Sequence, residues 1–344
     1  MRRYFTKLFG NEATKNRISL SIESGKLPHA LLIDGEEGSG RFTLALQIAA
    51  ALNCENRHNN SHPLPCGVCN SCRRVYSLGF ADLSVLEREK GKANIGVDEV
   101  REFRKDMYLS ATESEHKIYI IREAERMTPE AQNALLIVLE EPPPKVLIIL
   151  ITAGTDKLLS TINSRVQYIA MSRFTTDEID SYLSSNHPTL SSLKRTSPDR
   201  YKGILVGADG RIGRALALAE PKASMELENQ RESIISFVKS LRPKVPYGEL
   251  YGILLSLPKD RVELAEMLEG IIVALRDLVA LRRGIATDML FFTDRREAEI
   301  IAKEIGLQRL LKIYDIVIDT QRECAKFANN SLLITNMGLK IKLA

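Results

Sequence analysis

Apolar residues follow two rhythms along this chain, and the change between them divides it. In the first half, short unbroken apolar runs alternate with helix-spaced segments. Leu31–Ile33, Lys117–Ile121 (KIYII) and Lys145–Thr152 (KVLIILIT) read as buried strands, and Asp82–Glu87 and Val166–Met171 as two more. Between them, Thr43–Leu52, Val97–Met107 and Thr128–Glu141 carry helical spacing. Thr128 is placed as an N-cap, Pro129 as a first helical residue, and Pro142–Pro144 as a stop. Residues 1–30 read as a helical lead-in ending at Pro28, and Asp156–Ile162 as a short helix. Strands alternating with helices predict an α/β domain with a parallel, doubly wound sheet, running to about Arg173. From Thr175 the spacing is helical throughout: Thr176–Ser184, Gly213–Ala219, Val262–Arg283 and Arg295–Asn329, with a boundary at Pro221.

Composition narrows the class. A chain of 344 residues holds two or three domains. With 44% hydrophobic and 27% charged residues it is ordinary globular material, and a net charge of +4 does not by itself argue for nucleic acid. No apolar run has the length of a membrane span, and the basic start MRRYFTKLFG has no signal-like apolar segment, so the reading is cytoplasmic with no membrane partner.

One stretch adds chemistry. Leu31–Phe42, LLIDGEEGSGRF, sets Gly35, Gly38 and Gly40 between a buried strand and a helix start. That is the layout of a phosphate-binding P-loop, G-x-x-x-x-G-K-[ST], whose backbone N–H groups cradle phosphates at a helix N-terminus. Two positions depart from it. Arg41 replaces the Lys, and Phe42 replaces the Ser or Thr that holds Mg²⁺. The other half of such a site is a strand ending in an Asp for the metal and a Glu for water. After Lys117–Ile121 come Arg122 and Glu123, so a cation stands where a dication would sit. Metal ligands are missing from both halves, which speaks against hydrolysis; no Mg²⁺ is expected. For the nucleotide two outcomes stay open: a cradle of Gly35, Gly38, Gly40 and Arg41 that still holds ATP, or one filled by Phe42. A plain glycine-rich turn is the reading without chemistry.

Four of the five cysteines cluster as Cys54, Cys66, Cys69 and Cys72, with the spacing C-x11-C-x2-C-x2-C. Four thiolates so close suit one structural, tetrahedral Zn²⁺ with no open position. His58 and His62 lie between these ligands and could substitute. Cys324 falls in a helical stretch and reads as a small core residue. Ser164-Arg165 ends a short helix just before a strand. An arginine there could stabilise phosphate charge in trans, although an exposed arginine is usually plain surface.

Together these residues resemble the clamp-loader subunits of bacterial DNA polymerase III. The resemblance rests on Phe9-Gly10-Asn11-Glu12, on Gly25–Leu32 (GKLPHALL), and on the four-cysteine insert after the first P-loop helix. It rests also on Asn133–Leu136 with Leu139–Pro143 (LEEPP), and on Ser164-Arg165, where Val166 replaces the family's Cys. It covers residues 5–172 well and the rest more loosely. Within the family the match is nearest the delta-prime type, through Glu89–Lys92 with Ile95–Arg101, the broken P-loop, and Gly213, which stands where ATPase subunits carry a γ-phosphate-sensing Arg. The resemblance implies a RecA-like AAA+ domain over 1–173 with a zinc insert at about 53–73. A helical lid over 174–221 and a helical collar over 222–344 follow.

It also implies a non-hydrolysing, stator-like member of a five-subunit ring with gamma/tau ATPase subunits and delta. Arg165, with Ser164, would serve the neighbouring ATP site as an arginine finger while the assembly places the sliding clamp on primed DNA; any polymerase activity belongs to the whole holoenzyme. One alternative is a gamma/tau-like ATPase with a variant P-loop. A second is a zinc-dependent nucleic-acid-binding protein on a P-loop scaffold, against which the modest charge and the lack of an aromatic-interleaved basic stripe both speak.

Overall fold

Five apolar runs become five strands of one sheet. In the computed structural model, which describes residues 2–89, 92–285, 289–292, 294–324 and 329–344, the chain runs α1 Glu12–Glu23, β1 Ala30–Asp34, α2 Arg41–Leu52, α3 Asn70–Tyr76, β2 Leu83–Leu86, α4 Val97–Met107, β3 Lys117–Ile121, α5 Pro129–Glu140, β4 Val146–Thr152, α6 Ser160–Asn163 and β5 Gln167–Ala170. Lys90 and Gly91, within the Glu89–Lys92 segment of the resemblance, lie outside the described residues. So do residues 325–328 of the stretch Arg295–Asn329.

All strand pairs are parallel, in the order β2-β3-β4-β1-β5. Successive side chains of a strand face opposite ways. Leu31, Ile33, Ile118, Ile120, Leu147 and Ile149 therefore enter one core, with Leu44 and Ile48 of α2. Leu32, Tyr119, Ile121, Ile148 and Leu150 enter the other, with Val100 of α4 and Leu135 and Val138 of α5. Burial on both faces is why β1, β3 and β4 read as unbroken apolar runs. A parallel sheet in this order, with a glycine turn after its β1 strand, is a RecA-like AAA+ P-loop domain.

Beyond β5 the described residues are helical: α7 Thr176–Asn186, α8 Pro188–Thr196, α9 Pro198–Gly207, α10 Ile212–Ala219, α11 Pro221–Ser240, α12 Tyr247–Ser256, α13 Arg261–Arg282, α14 Arg295–Glu304, α15 Leu307–Cys324 and α16 Asn330–Leu343. The chain divides into two compact units. One comprises the residues to Tyr182 together with Gly210–Arg214, and the other Leu183–Asp209 with Ala215–Ala344. Helices α11 to α16 share a core that includes Phe237, Leu254, Leu268, Ile271, Leu275, Ile313 and Val317.

Three elements differ from the pattern reading, each for a local reason. Helix α2 starts two residues early, at Arg41, because Gly40 turns the chain at φ +92° and serves as N-cap. The expected helix Asp156–Ile162 is two pieces, a 3₁₀ turn at Thr155–Lys157 and then α6. Between them Leu158 is extended and buried, and Leu159 N–H donates to Gln132 Oε1 at 2.8 Å. The stretch from Arg295 splits at Ile305, which is extended and fully buried. Helices α8 and α9 were not delimited by the pattern reading, which gave no bounds between Ser184 and Gly213; each starts on a proline.

Candidate functional site

The P-loop leaves the C-terminal end of β1. Gly35 N–H donates to Thr152 O of β4 at 3.2 Å, and Ser39 N–H to Glu36 O at 3.2 Å. Gly38 and Gly40 have φ +82° and +92°, a region that side chains avoid. Helix α2 begins immediately, with no side-chain cap on its first N–H groups.

The two altered positions meet. The Arg122 guanidinium carbon lies 4.6 Å from the centre of the Phe42 ring, a stacked cation–π contact. Arg122 Nη1 is also paired with Glu87 Oε2 at 2.6 Å. The neighbouring Glu123, at φ +50°, directs its carboxylate to Arg88 Nε at 3.2 Å. Burial lowers the pKa of Arg41; Glu125, Glu37 and Asp34 oppose that effect and Arg122 adds to it. The group stays protonated regardless. Magnesium does not fit here: an aromatic ring and a guanidinium stand where a hydroxyl and a carboxylate would hold it.

The tip of the loop carries a second contact. Gly213 N–H donates to Gly38 O at 2.9 Å. A Cβ built on Gly213 would lie 2.7 Å from Gly38 Cα, and one on Gly38 would lie 2.9 Å from Arg214 N. Only backbone fits on either side. Glu36 holds the same segment, pairing with Arg211 Nη1 at 3.0 Å and accepting from Arg173.

Arg165 and Ser164 lie elsewhere. Both precede β5, whose Gln167 pairs with Leu31, whereas the P-loop follows Asp34, which pairs with Ala170. Arg165 is thus at the N-terminal edge of the sheet and its own P-loop at the C-terminal edge. Arg165 Nη2 is paired with Glu140 Oε1 at 2.8 Å. Its Nη1 donates to Thr161 O at 2.9 Å and to Ser164 Oγ at 3.2 Å.

The cysteine segment also sits at the N-terminal edge, where Asn53 Nδ2 donates to His116 O just before β3, at 3.0 Å. The Sγ atoms of Cys54, Cys66, Cys69 and Cys72 lie within 4.8 Å of one another. A four-sulfur tetrahedron with metal–sulfur bonds of about 2.3 Å spans about 3.8 Å between sulfurs, so this group matches one. Backbone N–H groups point at three of the sulfurs: Cys66 N at Cys54, Cys69 N at Cys66, and Cys72 N at Cys69, at 3.5, 3.4 and 3.4 Å. Cys54 is pulled down to about 5, first by its hydrogen bond with Cys72 and against its burial. Cys72 is pushed up by that bond and by burial. Among the described residues the group contains cysteines alone, without His58 or His62. Cys324 is fully buried in the helical core.

Residues that the pattern reading passed over complete the picture. Thr152, at the end of β4, is fully buried, and its Oγ1 donates to Gly154 O at 2.9 Å and accepts from Gly154 N at 3.1 Å. His29 Nε2 donates to Leu139 O at 3.0 Å and ties down the end of α5. The signal for Glu140 was present in the chain: α5 ends in acidic residues with no basic one.

The family model described as "DNA polymerase III, delta subunit" matches residues 10–175. DNA polymerase III subunit gamma of Buchnera aphidicola subsp. Schizaphis graminum is 30% identical over 238 residues, 67% of this chain and 62% of that protein. DNA polymerase III subunit delta' of Bacillus subtilis is 33% identical over 147 residues, 43% of each. Over these stretches the chain is similar to subunits of DNA polymerase III. Its match spans less than two thirds of either relative's length. Among solved structures, a DNA polymerase III gamma subunit-related protein of Thermotoga maritima is 19% identical, with TM-score 0.39 over 95% of this chain and 98% of that one. No helix among the described residues is long and apolar enough to cross a membrane.

Proposed function

We propose that this chain is a clamp-loader subunit of the delta-prime type. It does not hydrolyse ATP at its own P-loop and supplies Arg165, set by Ser164, to the ATP site of an adjoining gamma/tau-type subunit. The observation that carries this reading is the Phe42–Arg122 stack. It occupies both places from which an ATPase holds magnesium, while Glu123, the residue that would direct water, is engaged by Arg88. The placement of Arg165 supports the rest. An arginine at the sheet edge opposite its own loop can serve only a phosphate held by another chain.

In this reading the sheet domain, a lid over 174–221 and a collar over 222–344 take one position in a five-subunit ring that includes delta and opens the sliding clamp on primed DNA in the cytoplasm. One structural Zn²⁺ is held by Cys54, Cys66, Cys69 and Cys72, where it would fix the insert and offer no reactive position.

The test is the reconstituted complex with Arg165→Ala. Assembly is expected to be normal and ATP turnover to fall by about 10³ or more at the site served. Wild-type turnover would remove the finger from the proposal. A second reading, a slow gamma/tau-like ATPase, is favoured by the gamma names among the relatives.

A further inference from the structure

We propose that Glu140 is a positioning residue for Arg165, holding its guanidinium in the direction from which it meets a neighbouring subunit's nucleotide phosphate. This rests on the reading of Arg165 as a residue that acts in trans.

The guanidinium is held by three acceptors. Nη2 pairs with Glu140 Oε1 at 2.8 Å, while Nη1 donates to Thr161 O at 2.9 Å and Ser164 Oγ at 3.2 Å. An arginine carries five N–H groups in a rigid fork. Three are used here, and among the described residues Nε–H and one further N–H make no hydrogen bond. A phosphate needs two such groups side by side. Glu140 therefore fixes the fork and leaves two N–H groups unused.

Its own placement sets Glu140 apart. It is the last residue of α5, where the helix carbonyls already concentrate negative charge, and the last turn contains no basic residue to offset that. An acid at this place weakens the helix locally. The loss is offset by Arg165, which comes from the end of α6 and not from α5. Residues that break a local rule in this way are expected at functional positions.

The platforms under both side chains are stiff. Leu139 is 2% exposed, and its carbonyl accepts from His29 Nε2 at 3.0 Å. Ile162 of α6 is fully buried in the same core. Glu140 and Arg165 are themselves half-exposed, with side-chain exposures of 50% and 36%. An ion pair that wet contributes little to stability. What it supplies is direction, and misplacing a catalytic group by about 1 Å is enough to slow a reaction strongly.

The experiment uses the reconstituted complex with its ATPase subunits and compares wild type, Glu140→Ala, Glu140→Gln, Glu141→Ala and Arg165→Ala. Glu140→Ala is expected to lower kcat for ATP about tenfold and leave KM within about twofold, because the lost contact matters in the transition state and not in nucleotide binding. Glu140→Gln keeps a hydrogen-bond acceptor and is expected to recover part of the rate. Glu141→Ala is expected to match wild type, and size-exclusion chromatography to show intact complexes throughout. A wild-type or faster rate for Glu140→Ala, beside a slow Arg165→Ala, overturns the positioning role alone. An unchanged rate for Arg165→Ala overturns the trans reading and this proposal with it.

Discussion

A methyl group has no room at residue 213. Its carbon would lie 2.7 Å from Gly38 Cα, which belongs to backbone and cannot swing away. The absence of a side chain here is thus the condition for the Gly213 N–H to reach the loop carbonyl. Gly213→Ala is expected to cost about 1–3 kcal/mol in urea denaturation, the range for overpacking a tight contact. An unmoved midpoint would mean that the two backbones do not meet in solution. The glycine was visible in the sequence, as was the missing arginine of the ATPase subunits. Its contact was not, because residues 38 and 213 meet only after the sheet and the following helices have folded. The same holds for Phe42 and Arg122. Both were legible as departures from a motif, but their stacking depended on β1 and β3 lying on either side of β4.

Among the elements, the cysteine segment was the most legible, since its four cysteines are close in the chain. What the spacing did not reveal is its role for the N-terminus. Leu64, between Cys54 and Cys66, donates to Arg3 O at 2.9 Å and accepts from Phe5 N at 3.0 Å. Arg2 donates to the carbonyls of Asn56, Arg57 and His62 at 3.1, 2.7 and 3.0 Å. Removal of the metal, or Cys69→Ser, is therefore expected to loosen residues 2–8 as well as the segment itself. Hydrogen exchange should show faster labelling at Phe5 and Leu64 while β3 and β4 stay protected, and metal analysis should find one zinc per chain in the wild type and none in the variant. Unaltered exchange at Phe5 would detach the N-terminus from the metal.

Asp82 pins another connection. Its carboxylate accepts from the N–H groups of Thr112, Glu113 and Ser114 at 2.7, 2.9 and 2.9 Å and from Ser114 Oγ at 2.8 Å. Burial opposes the charge, but these bonds prevail and hold its pKa below the usual carboxylate range. A folded pKa below the unfolded one means stability that is present above about pH 4 and lost as pH falls through the folded value. Asp82→Asn is expected to cost about 1–3 kcal/mol at neutral pH and to flatten the acid limb of the stability curve. An acid limb as steep as that of the wild type would place the titrating group elsewhere.

For the molecule as a whole, the parallel direction of the strands puts the altered loop at one end of the sheet and Arg165 with Glu140 at the other. A chain built this way is expected to show no Mg²⁺-dependent ATP turnover by itself. The check is phosphate release by the purified protein, with Arg41→Ala as the control for contaminating ATPase. Turnover abolished by that change would favour the slow-ATPase reading.

The order of strands and helices in the first half, the glycine turn, the four clustered thiols and the departures at Arg41, Phe42 and Arg122 were all set by the chain, because each depends on residues within a few turns of one another. Tertiary structure alone decided that Arg122 covers Phe42, that Gly213 closes on Gly38, that Leu64 holds the N-terminus, and that Glu140 faces Arg165. These pairs are 80, 175, about 60 and 25 residues apart, and no periodicity within a single helix or strand registers a contact made across a folded sheet.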